Sequence, residues 1–112
     1  MKDEKDEFSE KIYEFCSRVP KGKVTTYGEI ARAIGKPGSS RAVGQVLKRN
    51  PYAPNIPCHR VVKSDGSLGG YGGAGRKKTE EKRKMLEKEG VKTVKGKIKE
   101  KGYFYFFSSN DG

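Results

Sequence analysis

Residues 24–51, VTTYGEIARAIGKPGSSRAVGQVLKRNP, set the architecture. Val24-Thr25-Thr26 is a short extended piece, and Thr26 is suited to cap a helix beginning at Tyr27. Ile30, Ala31 and Ile34 give that helix a buried stripe, and Gly35 closes it, since glycine tolerates the left-handed backbone of a helix end. After Lys36-Pro37-Gly38, Ser39 or Ser40 caps a second helix through Arg41, Ala42, Val43, Val46 and Leu47. It stops before Asn50-Pro51, because a residue preceding proline avoids the helical region. Two short helices across a tight glycine-containing turn read as a helix-turn-helix. The second carries Arg41, Lys48 and Arg49 and no acid, which suits a helix laid against DNA. An ordinary helical hairpin with a solvated basic face fits these residues equally well.

On the N-terminal side, Phe8, Ile12, Phe15 and Val19 recur at helical spacing, predicting an amphipathic helix over 4–18 that Pro20-Lys21-Gly22 ends. On the C-terminal side, three prolines stiffen residues 50–57, which deliver Cys58-His59-Arg60-Val61-Val62; the last two read as a short strand. Six glycines fall within residues 64–75, around Tyr71. This glycine-rich loop lacks the strand–helix setting of a phosphate-binding fingerprint, so a nucleotide site is rejected. A charged helix follows over 77–89, with Met85 and Leu86 inward and Gly90 as its cap, then a strand over 91–94. The run Tyr103-Phe104-Tyr105-Phe106-Phe107 holds five of the eleven aromatics and reads as a terminal strand covering the core. The fold class is mainly α with short strands.

Length bounds this to one domain over residues 1–112. With 32% hydrophobic residues it can build one modest core. No apolar run reaches the roughly 20 residues of a membrane span, and no export signal is evident, so a cytoplasmic protein is expected, nucleoid-associated in a prokaryote. The formal charge of +11 is uneven: residues 1–10 carry two lysines and five acids, leaving 23 basic and 9 acidic side chains in the rest. Such a surface attracts polyanions, nucleic acid first among them.

The two cysteines sit in different settings. Cys16 lies within a helical pattern and reads as a packing residue; Cys58, between Pro57 and His59, reads as reactive. One histidine and no further spaced ligands leave no zinc site. A free thiol, with a pKa near ~8.5, needs a base or a positive field to act at neutral pH. His59 and Arg60 follow Cys58 directly. In an extended segment neighbours point to opposite sides, so relay through a water is expected rather than direct contact. Glu89, closing the late helix, is the candidate to orient the imidazole.

Ile56-Pro57-Cys58-His59-Arg60-Val61-Val62 resembles the active-site signature of the O6-alkylguanine-DNA alkyltransferases, and the similarity runs from about residue 6 to residue 91. Tyr27-Gly28-Glu29-Ile30-Ala31 resembles the family's first DNA-facing helix, and Arg41-Ala42-Val43-Gly44 the start of its recognition helix. Asn50-Pro51 matches the asparagine hinge, Gly69-Gly70-Tyr71-Gly72-Gly73 the substrate loop, and Leu86-Glu87-Lys88-Glu89-Gly90 the end of the late helix. The resemblance implies a winged helix-turn-helix-like domain and single-use DNA repair. The recognition helix enters the minor groove of double-stranded DNA containing O6-alkylguanine, where small Ala42 and Gly44 allow close approach. Arg41 replaces the flipped base and Tyr27 turns its phosphate, with Lys48 and Arg49 among the DNA-binding residues. Extrusion is required because a stacked base cannot meet a thiol in line. Glu89 holds His59, His59 deprotonates Cys58 through water, and the thiolate takes the alkyl group as a stable thioether. Tyr71 donates toward the leaving guanine, Asn50 ties the active loop to the recognition helix, and Val61 with Gly69, Gly70, Gly72 and Gly73 lines the substrate loop. No cofactor and no metal are implied, nor a membrane, and a monomer is expected.

This sequence departs from the family's pattern in several places. The usual N-terminal domain has no counterpart, so the chain is expected to correspond to the catalytic, DNA-binding half. Ala74-Gly75-Arg76-Lys77 lengthens the segment after Tyr71, and Gly72 stands where serine is common. The aromatic tail, residues 102–112, lies outside the pattern and is expected to cover core surface which that domain would shield. Alkyltransferase-like proteins of similar size bind the lesion without repairing it, but typically carry tryptophan in place of the cysteine; Cys58, His59 and Glu89 together favour chemistry. A plain helix-turn-helix regulator would bind intact duplex, and a cysteine hydrolase would need an oxyanion hole that the sequence does not reveal.

Overall fold

The computed structural model describes residues 4–49, 55–68 and 76–108, with backbone alone for 4–6 and 76–78. Asn50, Gly69, Gly70, Tyr71, Gly72 and Gly73 lie outside the described residues. In chain order come α1 (Glu4–Ser17), β1 (Thr25–Thr26), α2 (Tyr27–Ala33), α3 (Ser40–Lys48), a 3-10 turn (Cys58–Arg60), β2 (Val61–Val62), α4 (Arg76–Lys88) and a second 3-10 turn (Lys101–Tyr103). The chain is mainly helical, as its periodicity predicts.

The helix-turn-helix is built as its residues dictate. Thr26 Oγ1 accepts from the Glu29 backbone N–H at 3.0 Å and caps α2, and Gly35 turns out of it with φ +82°. Ser39 stands at the N-cap of α3, but its hydroxyl donates back to the Lys36 carbonyl at 2.6 Å and caps nothing. Helices α1, α2 and α3 enclose a cluster of Ile12, Phe15, Cys16, Val19, Ile30, Ala31, Ile34, Val43, Leu47, Cys58 and Val61. A second cluster joins Val24, Val62, Leu68, Leu86, Val91 and Ile98.

Strands β1 and β2 pair in parallel, Thr25 opposite Val61 and Thr26 opposite Val62. Their adjoining buried residues connect the two clusters, so this two-residue pairing fixes the cysteine turn to the helix-turn-helix.

Val61 and Val62 form the short strand that the sequence predicts, and Val61 is fully buried. Two local expectations are corrected. Cys58–Arg60 is a 3-10 turn rather than extended chain, so its neighbouring side chains need not point apart. Residues 91–94 form no strand: Val94 makes one isolated antiparallel bridge to Lys97 across a tight turn. The buried side of Val91 is satisfied by packing in the second cluster, which needs no ladder.

The aromatic tail lies on the core, although not as a regular strand. Phe104 bridges Val24, and the Tyr105 N–H donates to the Val24 carbonyl at 2.6 Å. Phe107 enters the first cluster, edge-on to Phe15 at 5.0 Å between ring centroids. Glu29 locks it in place, accepting from the Phe107 N–H at 2.8 Å, while Arg32 donates to the Phe107 carbonyl at 2.8 Å. Phe106, between two anchored aromatics, is 68% exposed. Alternation of side chains along extended backbone leaves it outside. No helix among the described residues is long and apolar enough to cross a membrane.

Candidate active site

Pro57 leads into the 3-10 turn that buries Cys58 and His59 side by side. Glu89, just past the last residue of α4, meets this turn from the other side. Its Oε2 lies 3.1 Å from His59 Nε2. Arg60 donates to both carboxylate oxygens, Nε to Oε1 at 2.9 Å and a terminal nitrogen to Oε2 at 2.7 Å. The other terminal nitrogen of Arg60 donates to the Val19 carbonyl at 2.9 Å, joining α1's end to the site.

These contacts decide protonation. Burial pulls the Glu89 carboxyl up, but the hydrogen bonds from Arg60 and His59 outweigh it, and it lies below the ordinary carboxylate range. Burial holds His59 below the ordinary histidine range, against the upward pull of Glu89. A neutral imidazole beside an ionised carboxylate donates through Nε2–H, which makes the buried Nδ1 the basic nitrogen. His59 is thereby set as a proton acceptor at neutral pH.

Lys82 is the residue that sequence reasoning missed. Only 1% exposed, it extends from α4 and donates to the Val61 carbonyl at 2.6 Å; its Nζ lies 3.4 Å from the Tyr27 hydroxyl. Burial pulls it down to about 8, against the raising influence of Cys58 and Cys16. The signal was present: Lys82, Leu86 and Glu89 stand at i, i+4 and i+7, one stripe of a helix. Composition hid it, because a lysine among so many charges reads as solvated.

Tyr27 sits between the helix-turn-helix and the cysteine turn. A Cβ on Gly44 would stand 3.8 Å from its ring, and its hydroxyl faces Lys82. Burial pushes that hydroxyl up to about 12, so it keeps its proton. Cys16 belongs to the same cluster as Cys58, and burial raises its thiol to about 12, which keeps it an inert packing group. On α3, Arg41, Ala42, Lys48 and Arg49 are exposed, whereas Gly44 is half-buried. The structure thus brings Cys58, His59, Glu89 and Tyr27 together and leaves the basic side chains of α3 on the surface.

The sequence of the 6-O-methylguanine DNA methyltransferase DNA-binding domain matches residues 7–91. The chain belongs to that family. Among its relatives is a methylated-DNA–protein-cysteine methyltransferase of Thermococcus kodakarensis, 49% identical over 86 residues, or 76% of this chain and 45% of that protein. A bifunctional methyltransferase/endonuclease of Picrophilus torridus is 41% identical over 92 residues, 82% of this chain and 30% of that protein. The chain therefore spans less than half the length of these methyltransferase relatives.

Two DNA complexes resemble the fold. Atl1 of S. pombe, bound to damaged DNA containing O6-carboxymethylguanine, superposes with TM-score 0.78 at 34% identity, covering 94% of this chain and 98% of that one. The OGT of Mycobacterium tuberculosis in complex with DNA gives TM-score 0.67 at 43% identity, covering 73% and 48%. The chain thus carries the DNA-binding domain of the 6-O-methylguanine DNA methyltransferase family, mainly helical with a short parallel strand pair.

Proposed function

We propose that this chain repairs double-stranded DNA by taking the alkyl group of O6-alkylguanine onto Cys58, each molecule reacting once. The observation that carries the reading is the Glu89–His59 contact at 3.1 Å beside a retained cysteine. Nδ1 of His59 removes the Cys58 proton through a water; the sulfur attacks the alkyl carbon, and the carbon–oxygen bond breaks toward guanine. The new thioether has no route back to the thiol, so the protein is consumed.

The remaining residues serve that step. The face of α3 carrying Arg41, Ala42, Gly44, Lys48 and Arg49 enters the minor groove, and Arg41 fills the place of the extruded base. Tyr27 stands between this face and the cysteine turn as a protonated donor. Lys82 is a positioning residue that holds the Tyr27 hydroxyl and the Val61 carbonyl. Asn50, Tyr71 and the glycines at 69, 70, 72 and 73 complete the proposal as hinge and substrate loop.

A lesion-binding protein without chemistry is the second reading, favoured by the cover of 98% of the Atl1 chain. One measurement separates the two. The protein is incubated with excess duplex carrying O6-methylguanine and weighed intact, then digested. One added methyl on the peptide containing Cys58 supports repair; tight binding with an unmodified thiol supports the binder.

A further inference from the structure

Ten residues after α4 concentrate charge in a way the repair chemistry does not use. Lys92, Lys95, Lys97, Lys99 and Lys101 fall within residues 92–101, where Glu100 is the one acid, and all five lysines are exposed. They are carried by a tight hairpin. Val94 and Lys97 exchange backbone hydrogen bonds at 2.8 and 3.0 Å, and the two residues between them, Lys95 and Gly96, have φ of 51° and 76°. That is the primed turn whose twist suits a two-residue hairpin.

The hairpin is tied to the stem that follows the cysteine strand. The Ile98 N–H donates to the Gly66 carbonyl at 2.9 Å and the Leu68 N–H to the Gly96 carbonyl at 3.2 Å. The fit demands glycine: a Cβ on Gly66 would stand 2.5 Å from the Ile98 oxygen, and its φ is +88°. Ile98 is 4% exposed, buried in the second cluster, and side chains alternate along extended chain, so Lys97 and Lys99 share the outward side. Lys63 adds an exposed charge at the stem's start. The one ion pair of these lysines among the described residues, Lys97 to Asp65 at 3.8 Å between two exposed side chains, is long and solvent-screened, easily exchanged for another anion.

We infer that this lysine hairpin is a second DNA contact, gripping the phosphate backbone on the lesion-site side while α3 holds the groove. Lysines are compact point charges that attract phosphate without reading bases, so the contact adds affinity independent of sequence and of damage. The inference rests on the DNA-binding reading above but not on the transfer chemistry.

The test compares the parent with Lys95→Gln/Lys97→Gln/Lys99→Gln and with the same three positions changed to arginine, all checked for equal melting temperature. Affinity for lesion-free and O6-methylguanine duplexes is followed by fluorescence anisotropy across a salt series. Each lost phosphate contact makes the slope of log K against log salt shallower by about 0.9, so the glutamine variant should lose between about 0.9 and about 2.7. Both duplexes should weaken by the same factor, the arginine variant should keep the parent slope, and alkyl uptake from free O6-alkylguanine base, which has no phosphate, should not change. Should the triple variant melt early, Lys99→Gln alone is read for its about 0.9. A slope within error of the parent, or a loss confined to the damaged duplex, overturns the inference. A shallower slope in a protein whose thiol stays unmodified would sustain the hairpin contact and remove the repair reading instead.

Discussion

Replacing Lys82 with methionine should separate what this buried ammonium costs from what it does. The side chain is 1% exposed, and burial pulls its pKa from 10.5 to about 8. That shift corresponds to about 3 kcal/mol by which the folded state disfavours the charge at neutral pH. Methionine fills a similar volume without the charge, but leaves the Val61 carbonyl without its 2.6 Å donor, a loss of about 1–3 kcal/mol. The two effects oppose, so at pH 7 the variant should be between equally stable and about 2 kcal/mol more stable.

The sign with pH follows from the lowered value. Between pH 8 and 10.5 the unfolded chain binds more protons at Lys82 than the folded chain, so the parent gains stability as pH rises. Cys16 and Tyr27, both raised to about 12, act oppositely at alkaline pH. They are present in both proteins, so the difference between variant and parent isolates Lys82. Urea denaturation at pH 7 and pH 10 should show that difference moving by about 2–3 kcal/mol in the parent's favour. Alkyl uptake should meanwhile slow about 10- to 100-fold, since Tyr27 and Val61 lose their shared anchor. A pH-independent difference, or a variant more than about 3 kcal/mol less stable at pH 7, would refute the reasoning.

Glu89→Gln removes the groups that pull His59 upward, so the acid limb of the pH–rate profile for transfer should move to lower pH while its plateau falls about 100-fold or more; an unmoved limb would show that Glu89 does not act through His59. Arg41→Ala should slow repair far more than it weakens binding, with less than about one contact's change in salt slope, checked by paired transfer and anisotropy measurements. Phe107→Ala opens a cavity against Phe15 and should cost about 3–5 kcal/mol in urea, whereas Phe106→Ala, at an exposed position, should stay within about 0.5.

The helices were legible because each writes its packing face as a 3.6-residue stripe and its ends as local chemistry. Thr26 capping α2 and Gly35 closing it need no partner beyond their own neighbours. The family signature was legible in the run from Ile56 to Val62, and the pairing of Glu89 with His59 from its place at the end of a helix. Where the local signal was ambiguous, the reading slipped. Two adjacent serines compete for one cap, and hydrogen bonding to Lys36 decided that Ser39 caps nothing. Val91 through Val94 has strand composition, yet only Val94 finds a ladder partner, Lys97 across the Lys95-Gly96 turn.

What the sequence alone determined is therefore the set of chemical groups and their local backbone states, since both depend on residues a few positions apart. Tertiary structure alone decided the parallel pairing of Thr25 with Val61, the Glu89 carboxylate shared by His59 and Arg60, and the burial of Lys82. Each joins segments 20 or more residues distant, where chain entropy erases any local signature. Position in the packed core then moved the titration ranges, because burial lowers Lys82 and His59 from the values they would hold in water.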